Sequence, residues 1–165
     1  MNGSQDDSKL IQIGRTGHLI TILMADDDED DRLFAGDALR ESRVLNDFRS
    51  VENGEELMDY LNRRGKYSDP KSSPRPGLLL LDLNMPRKDG REALAEIKGN
   101  PLLRSIPVVV LTTSDTQEDI IRSYDLGVNS FITKPVTFAS LVEVMKALSR
   151  YWIEIVQLPE HTDVD

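Results

Sequence analysis

Four consecutive leucines, Leu78–Leu81, run straight into an aspartate, Asp82, and this short segment constrains the fold more than any other. Pro76-Gly77 precedes it and Pro86 follows, so the run is too short for a buried helix and reads as a strand with no solvent-facing side. Pro107–Leu111 repeats the pattern with β-branched residues, and His18–Ala25 is another apolar run that ends in acids. Strands that are apolar on both faces belong to parallel sheets covered by helices on both sides.

The remaining segments supply those helices. Asp28 is a candidate N-cap for a helix to about Ser42, with Ala35, Ala38, Leu39 and Ser42 along one face. Asn46–Val51 reads as a short strand, and the turn signal Asn53-Gly54 opens a helix through Leu57, Met58 and Leu61. Gly65–Pro76, rich in Pro, Ser and charge, is expected to be a surface loop. A helix from about Gly90 to Lys98 stops before Asn100-Pro101. Ile120, Ile121 and Tyr124 mark another, closed by Gly127, and Ser130–Thr133 is the last strand. Leu141, Val144, Met145, Leu148 and Trp152 fall on one helical face. The order is five strands alternating with five helices, an α/β chain with a doubly wound parallel sheet. Right-handed crossovers leave few topologies, led by the flavodoxin-like order 2-1-3-4-5. Residues 1–17 read as a flexible N-terminal tail, 18–152 as one domain, and 153–165 as a C-terminal extension that either folds back on its own domain or reaches a second copy as a dimer arm.

Bulk properties exclude several classes. A formal net charge of −9 over 165 residues removes the footprint of a nucleic-acid binder and disfavours anionic membranes. The absence of cysteine rules out disulfides and thiolate metal sites. No basic start with an apolar run marks a secretory signal, and no apolar stretch reaches spanning length, so a cytoplasmic location is expected.

In open α/β sheets ligands bind beyond the carboxyl ends of the strands. Asp26 and Asp27 end the first strand, Asp82 the third, Thr112 and Thr113 the fourth, and Lys134 the fifth, so all converge on one crevice. Clustered carboxylates raise one another's pKa unless a cation joins them. With only oxygen donors a hard cation is expected, and Mg²⁺, which takes one or two carboxylates plus a phosphate, fits best. An ammonium opposite the metal suits a phosphoryl oxygen, and a carboxylate can be the nucleophile in phosphoryl transfer.

Asp26-Asp27, Asp82 within Leu79-Leu-Leu-Asp-Leu-Asn-Met-Pro86, Thr112 and Lys134-Pro135 together resemble the bacterial response-regulator receiver domain over about residues 19–150. The resemblance implies Asp82 as phospho-acceptor from a histidine kinase, Asp27 as a direct Mg²⁺ ligand, Asp26 as a ligand through water, and the backbone carbonyl of Asn84 as a further ligand. Lys134 would pair with Asp82 and the phosphoryl group, and the Lys134–Pro135 peptide would be cis. Thr112 would turn to the phosphoryl oxygen, with Phe131 following as the switch aromatic. The insert at Gly65–Pro76, Leu83-Asn-Met-Pro-Arg-Lys-Asp-Gly90, Thr112-Thr-Ser114 and Tyr151-Trp152 resemble the small receivers paired with phytochrome-type histidine kinases. That subgroup implies a phytochrome-type kinase partner and a homodimer.

Two departures stand out: Phe131 replaces the tyrosine frequent in the family, and the Gly65–Pro76 loop lengthens the chain by roughly ten residues. Taken singly, each residue has an ordinary explanation. Asp28–Asp31 suit an acidic helix start, Lys134 a solvated lysine and Phe131 a core aromatic. A calcium loop fails because Asp31 stands where glycine is needed. With no effector segment following, output is expected as a change in protein–protein binding. The chain would act as a phospho-acceptor with autodephosphorylation, not as an enzyme on external substrates. The rivals are a binding-only receiver-like scaffold and a Mg²⁺-dependent Asp-nucleophile phosphatase. The second needs an acid two residues after the nucleophile, where this chain has Asn84.

Overall fold

A computed structural model describes residues 20–41 and 46–155, with side chains to residue 152. His18, Ser42, the expected N-terminal tail and the end of the expected C-terminal arm lie outside the described residues. The elements run β1 (Ile20–Ala25), α1 (Glu29–Glu41), β2 (Asn46–Val51), α2 (Gly54–Leu61), β3 (Leu78–Leu81), α3 (Gly90–Gly99), β4 (Val108–Thr112), α4 (Gln117–Leu126), β5 (Ser130–Thr133) and α5 (Phe138–Ser149). The strands form one parallel sheet in the order β2-β1-β3-β4-β5, as the sequence predicts.

The runs read as doubly buried are so. Leu79 and Leu81 of β3 face a core with Leu57, Leu61, Leu94 and Ile97 of α2 and α3. Leu78 and Leu80 face the opposite core, with Ala35, Leu39, Leu141 and Met145 of α1 and α5. β1 and β4 alternate in the same way, so the central strands lack a wet face. β4 begins at Val108, one residue later than expected. Pro107 has no N–H for the ladder, although its carbonyl accepts from Leu79 N–H at 2.9 Å.

Local chemistry fixes the helix ends. Asp28 Oδ1 accepts from Asp31 N–H at 3.0 Å, Asn53 Oδ1 from Glu56 N–H at 2.8 Å, and Asp89 Oδ1 from Arg91 N–H at 2.7 Å. Gly127 closes α4 at φ 103°, a left-handed conformation that favours glycine. α4 forms where Ile120, Ile121 and Tyr124 mark it, with two of these three facing solvent. Ile121 and Tyr124 are 58% and 48% exposed, and Ser123 is the residue it buries. The helix packs mainly on α3 and β5.

The insert at Gly65–Pro76 is more than surface loop. A 3₁₀ turn at Gly65–Tyr67 opens it, and Ser73 and Pro76 are buried. Tyr60 Oη donates to Pro74 O at 2.7 Å, Tyr67 Oη to Glu56 Oε1 at 2.5 Å, and Ser73 Oγ to Tyr67 O at 2.8 Å. After α5 the chain continues as a π-helical segment, Arg150–Ile155, and Trp152 is buried against the α1–α5 core. No helix among the described residues is long and apolar enough to cross a membrane.

Candidate functional site

Strand register sets the height of each functional group above the sheet. Ala25, Leu81, Val110 and Phe131 lie at one level. Asp26 and Asp82 are therefore level with each other one residue further on, Thr112 stands a second residue up, and Lys134 a third. At about 3.3 Å per residue, the Lys134 backbone is about 7 Å beyond that of Asp82. A short acid on the inner strands and a long amine on the outer one is what such a staircase needs for the groups to meet. Backbone bonds extend past the strands and hold the steps: Asp26 N–H to Val51 O at 3.1 Å, Asp82 N–H to Ala25 O at 2.9 Å, and Lys134 N–H to Thr112 O at 2.7 Å.

Asp82 is buried, and Oδ1 accepts from Thr112 Oγ1 at 2.7 Å and Asn84 N–H at 3.0 Å. Lys134 Nζ donates to Oδ2 at 3.1 Å. The backbone beneath has no slack, because a Cβ on Gly90 would stand 2.1 Å from the Asp82 carbonyl oxygen. Asp26, Asp27 and Asp82 each bring a carboxylate oxygen within 4.8 Å of the others, with Asp26 and Asp82 buried and Asp27 exposed. Phe131 is half-buried against the α2–α3 core, one level below the acids. The Lys134–Pro135 peptide is trans, which corrects the cis form implied by resemblance. Trans is the lower-energy form of an X–Pro bond, and the ladder bond at Lys134 N–H is made with it.

Sequence reasoning left Asp31 in the acidic helix start. The structure brings its carboxylate to 2.9 Å from Lys134 Nζ, beside Asp26 at 2.7 Å and Asp82 at 3.1 Å. Lys134, only 7% exposed, thus faces three carboxylates. Burial lowers its proton affinity, but Asp26 and Asp31 more than offset this and hold its pKa above the ordinary lysine value. Burial pushes Asp26 up to about 6, against the opposing pull of Lys134. Its Oδ1 accepts from Asp28 N–H at 2.9 Å, whereas the buried Oδ2 has the ammonium nearby but off a hydrogen-bond axis.

This arrangement fits a divalent cation. The donors are all oxygen, one ammonium is outnumbered by buried acids, and Asp26 Oδ2 has no directional partner.

The sequence profile of the response regulator receiver domain matches residues 22–146. The chain belongs to the response-regulator receiver family. Members of this family are phospho-acceptors that bind a divalent metal at an acidic pocket. The response regulator Rcp1 of Synechocystis sp. is 43% identical to this receiver over 138 residues, 84% of this chain and 92% of that one. The crystal structure of the phosphorylated cyanobacterial phytochrome response regulator RcpA matches with a TM-score of 0.81 at 42% identity, covering 86% of this chain and 99% of that one. The Mn²⁺-bound form of Rcp1 matches at 0.80 with 42% identity and the same coverage, 86% and 99%.

Proposed function

We propose that this receiver takes a phosphoryl group on Asp82 from a phytochrome-type sensor histidine kinase, with Mg²⁺ bound, and signals by altered protein–protein contact. The observation that carries the reading is the buried Asp82 carboxylate held between the Thr112 hydroxyl at 2.7 Å and the Lys134 ammonium at 3.1 Å, with Asp26 and Asp27 beside it. Asp27, Asp82 and the backbone carbonyl of Asn84 would hold the metal directly, and Asp26 through water. The bound cation supplies positive charge against the oxygens of the transferring group.

The protein's own residues do the rest. A carboxylate oxygen of Asp82 forms a bond to phosphorus as the P–N bond of the kinase phosphohistidine breaks, and the electron pair stays on the imidazole nitrogen. Lys134 stabilises a phosphoryl oxygen, and Thr112 moves its hydroxyl from Asp82 to another. The vacated space draws Phe131 towards the core. Tyr124 Oη accepts from Phe131 N–H at 3.2 Å, which ties this movement to the exposed residues Ile121 and Tyr124 on α4. The readout surface then comprises α4, β5 and α5, and a second copy of the chain is its first candidate occupant.

Intact mass after treatment with acetyl phosphate and Mg²⁺ tests the reading. One added phosphate, lost with EDTA and in Asp82→Asn, is the expected result. No adduct on the natural chain would leave a binding-only scaffold. Transfer from a phosphorylated phytochrome kinase tests the partner, and sedimentation before and after phosphorylation tests the dimer.

A further inference from the structure

Arg91 opens α3 and Asp119 lies in the first turn of α4, 28 residues apart, yet they form a bidentate ion pair. Arg91 Nε and Nη2 each donate to a different Asp119 oxygen at 2.6 Å. Nη1 donates to Asp89 Oδ2 at 3.0 Å and reaches Leu83 O at 3.3 Å. Nη1 and Nη2 both reach Asn84 Oδ1, each at 3.3 Å. Ser114 Oγ donates to Asp119 Oδ2 at 2.5 Å, and Asn84 Nδ2 lies 3.5 Å from Thr113 Oγ1. One planar, bidentate ion pair therefore joins the starts of α3 and α4, and its further bonds to Asn84 and Ser114 tie together the loops after β3 and β4.

These two loops carry Asn84, two residues beyond the reacting carboxylate, and Ser114, two residues beyond the Thr112 hydroxyl that donates to it. Water that hydrolyses an aspartyl-phosphate must be oriented by an acceptor. Its oxygen then bonds to phosphorus, the P–O bond to Asp82 breaks with its electron pair returning to the carboxylate, and the water proton leaves with phosphate or solvent. Asn84 is exposed, so water reaches it, and Oδ1 is the acceptor it offers. That oxygen is turned onto Arg91, and Arg91 is fixed by Asp119.

We propose that Arg91, anchored by Asp119, is a positioning residue that withholds Asn84 Oδ1 from attacking water and so lengthens the life of the phosphoryl group. The proposal rests on Asp82 as the acceptor. It is separable from that reading because it concerns loss of the group, not its acquisition.

The test is a double-mutant cycle on the phosphorylated full chain, with phosphate loss followed by intact mass in Mg²⁺. Arg91→Gln is expected to take one phosphate and to lose it about five-fold faster, the size of effect one freed hydrogen-bonding group can have. Asp119→Asn is expected to act in the same direction. In an Asn84→Ala background Arg91→Gln is expected to change nothing. An unchanged or longer half-life in Arg91→Gln would overturn the proposal, as would an equal acceleration with Asn84 absent, the mark of general loosening. Should Arg91→Gln fail to fold, Arg91→Lys keeps the charge without the bidentate grip and completes the same cycle. A natural chain that takes no phosphate would instead overturn the acceptor reading.

Discussion

Lys134 and Arg91 each stand among carboxylates at the same edge of the sheet, yet their charges are balanced to different degrees. Around Arg91, Asp89 and Asp119 meet one guanidinium, and Asp119 has a donor on each oxygen. Hydrogen bonding to Arg91 holds Asp119 well below the usual carboxylate range, and Asp119 in turn raises Arg91. Around Lys134 there are three carboxylates for one ammonium, in deeper burial, and Asp26 is pushed up to about 6. The first centre is one positive charge short but has both Asp119 oxygens held by directional donors, and it braces two loops. The second is shorter still of positive charge, and that deficit is what a divalent cation would fill.

The largest effect should come from deepening the deficit. In EDTA at neutral pH, Lys134→Met is expected to lose about 3–5 kcal/mol in urea unfolding, because it strands buried acids. Millimolar Mg²⁺ should return most of that loss; if it does not, the deficit is not what the metal fills. Next comes pH. The folded-state pKa of Asp26 is raised from 3.8 to about 6, so its contribution to metal-free stability is full below 3.8 and is lost as pH rises through about 6. The natural chain in EDTA should fall by about 3 kcal/mol across that window relative to Asp26→Asn. Parallel curves for the two proteins would count against the charge imbalance.

Asp119 has the opposite sign. Its folded pKa is depressed, so its contribution is present above the ordinary aspartate value of 3.8 and is lost as pH falls below it. Asp119→Asn should cost about 1 kcal/mol at pH 7 and nothing at strongly acidic pH, measured by thermal unfolding. The smallest effect belongs to Asp31→Asn. Its carboxylate is 22% exposed and adds a third negative charge to an ammonium already engaged, so a change under about 0.5 kcal/mol is expected.

Much of this was legible in the sequence, for definite reasons. Leu78–Leu81 and the valines of β4 carry a burial signal strong enough to fix a parallel sheet, and the sheet brings Asp26, Asp82, Thr112 and Lys134 to one edge. Asp31 was not legible. In the unbroken run Asp26-Asp27-Asp28-Glu29-Asp30-Asp31 no periodic contrast marks which acid a helix will turn inward. Arg91 and Asp119 meet only after two helices are placed side by side, and neither residue carries a local signal for that. Ile121 and Tyr124 marked the helix correctly but not its inward face, since apolar residues can face water.

The four leucines of β3 hold one further consequence. As core residues they are nearly interchangeable, so their side chains alone do little to specify which of them should lie opposite Ala25. That alignment is pinned from outside the run, by Gly77 N–H on Thr21 O at 2.8 Å at one end and Asp82 N–H on Ala25 O at 2.9 Å at the other. The strand behaves as a smooth rod between two stops, and the stop at its far end is the proposed acceptor residue itself. The backbone of Asp82 thus indexes the sheet while its side chain is placed for chemistry, so an error in either task is felt in the other.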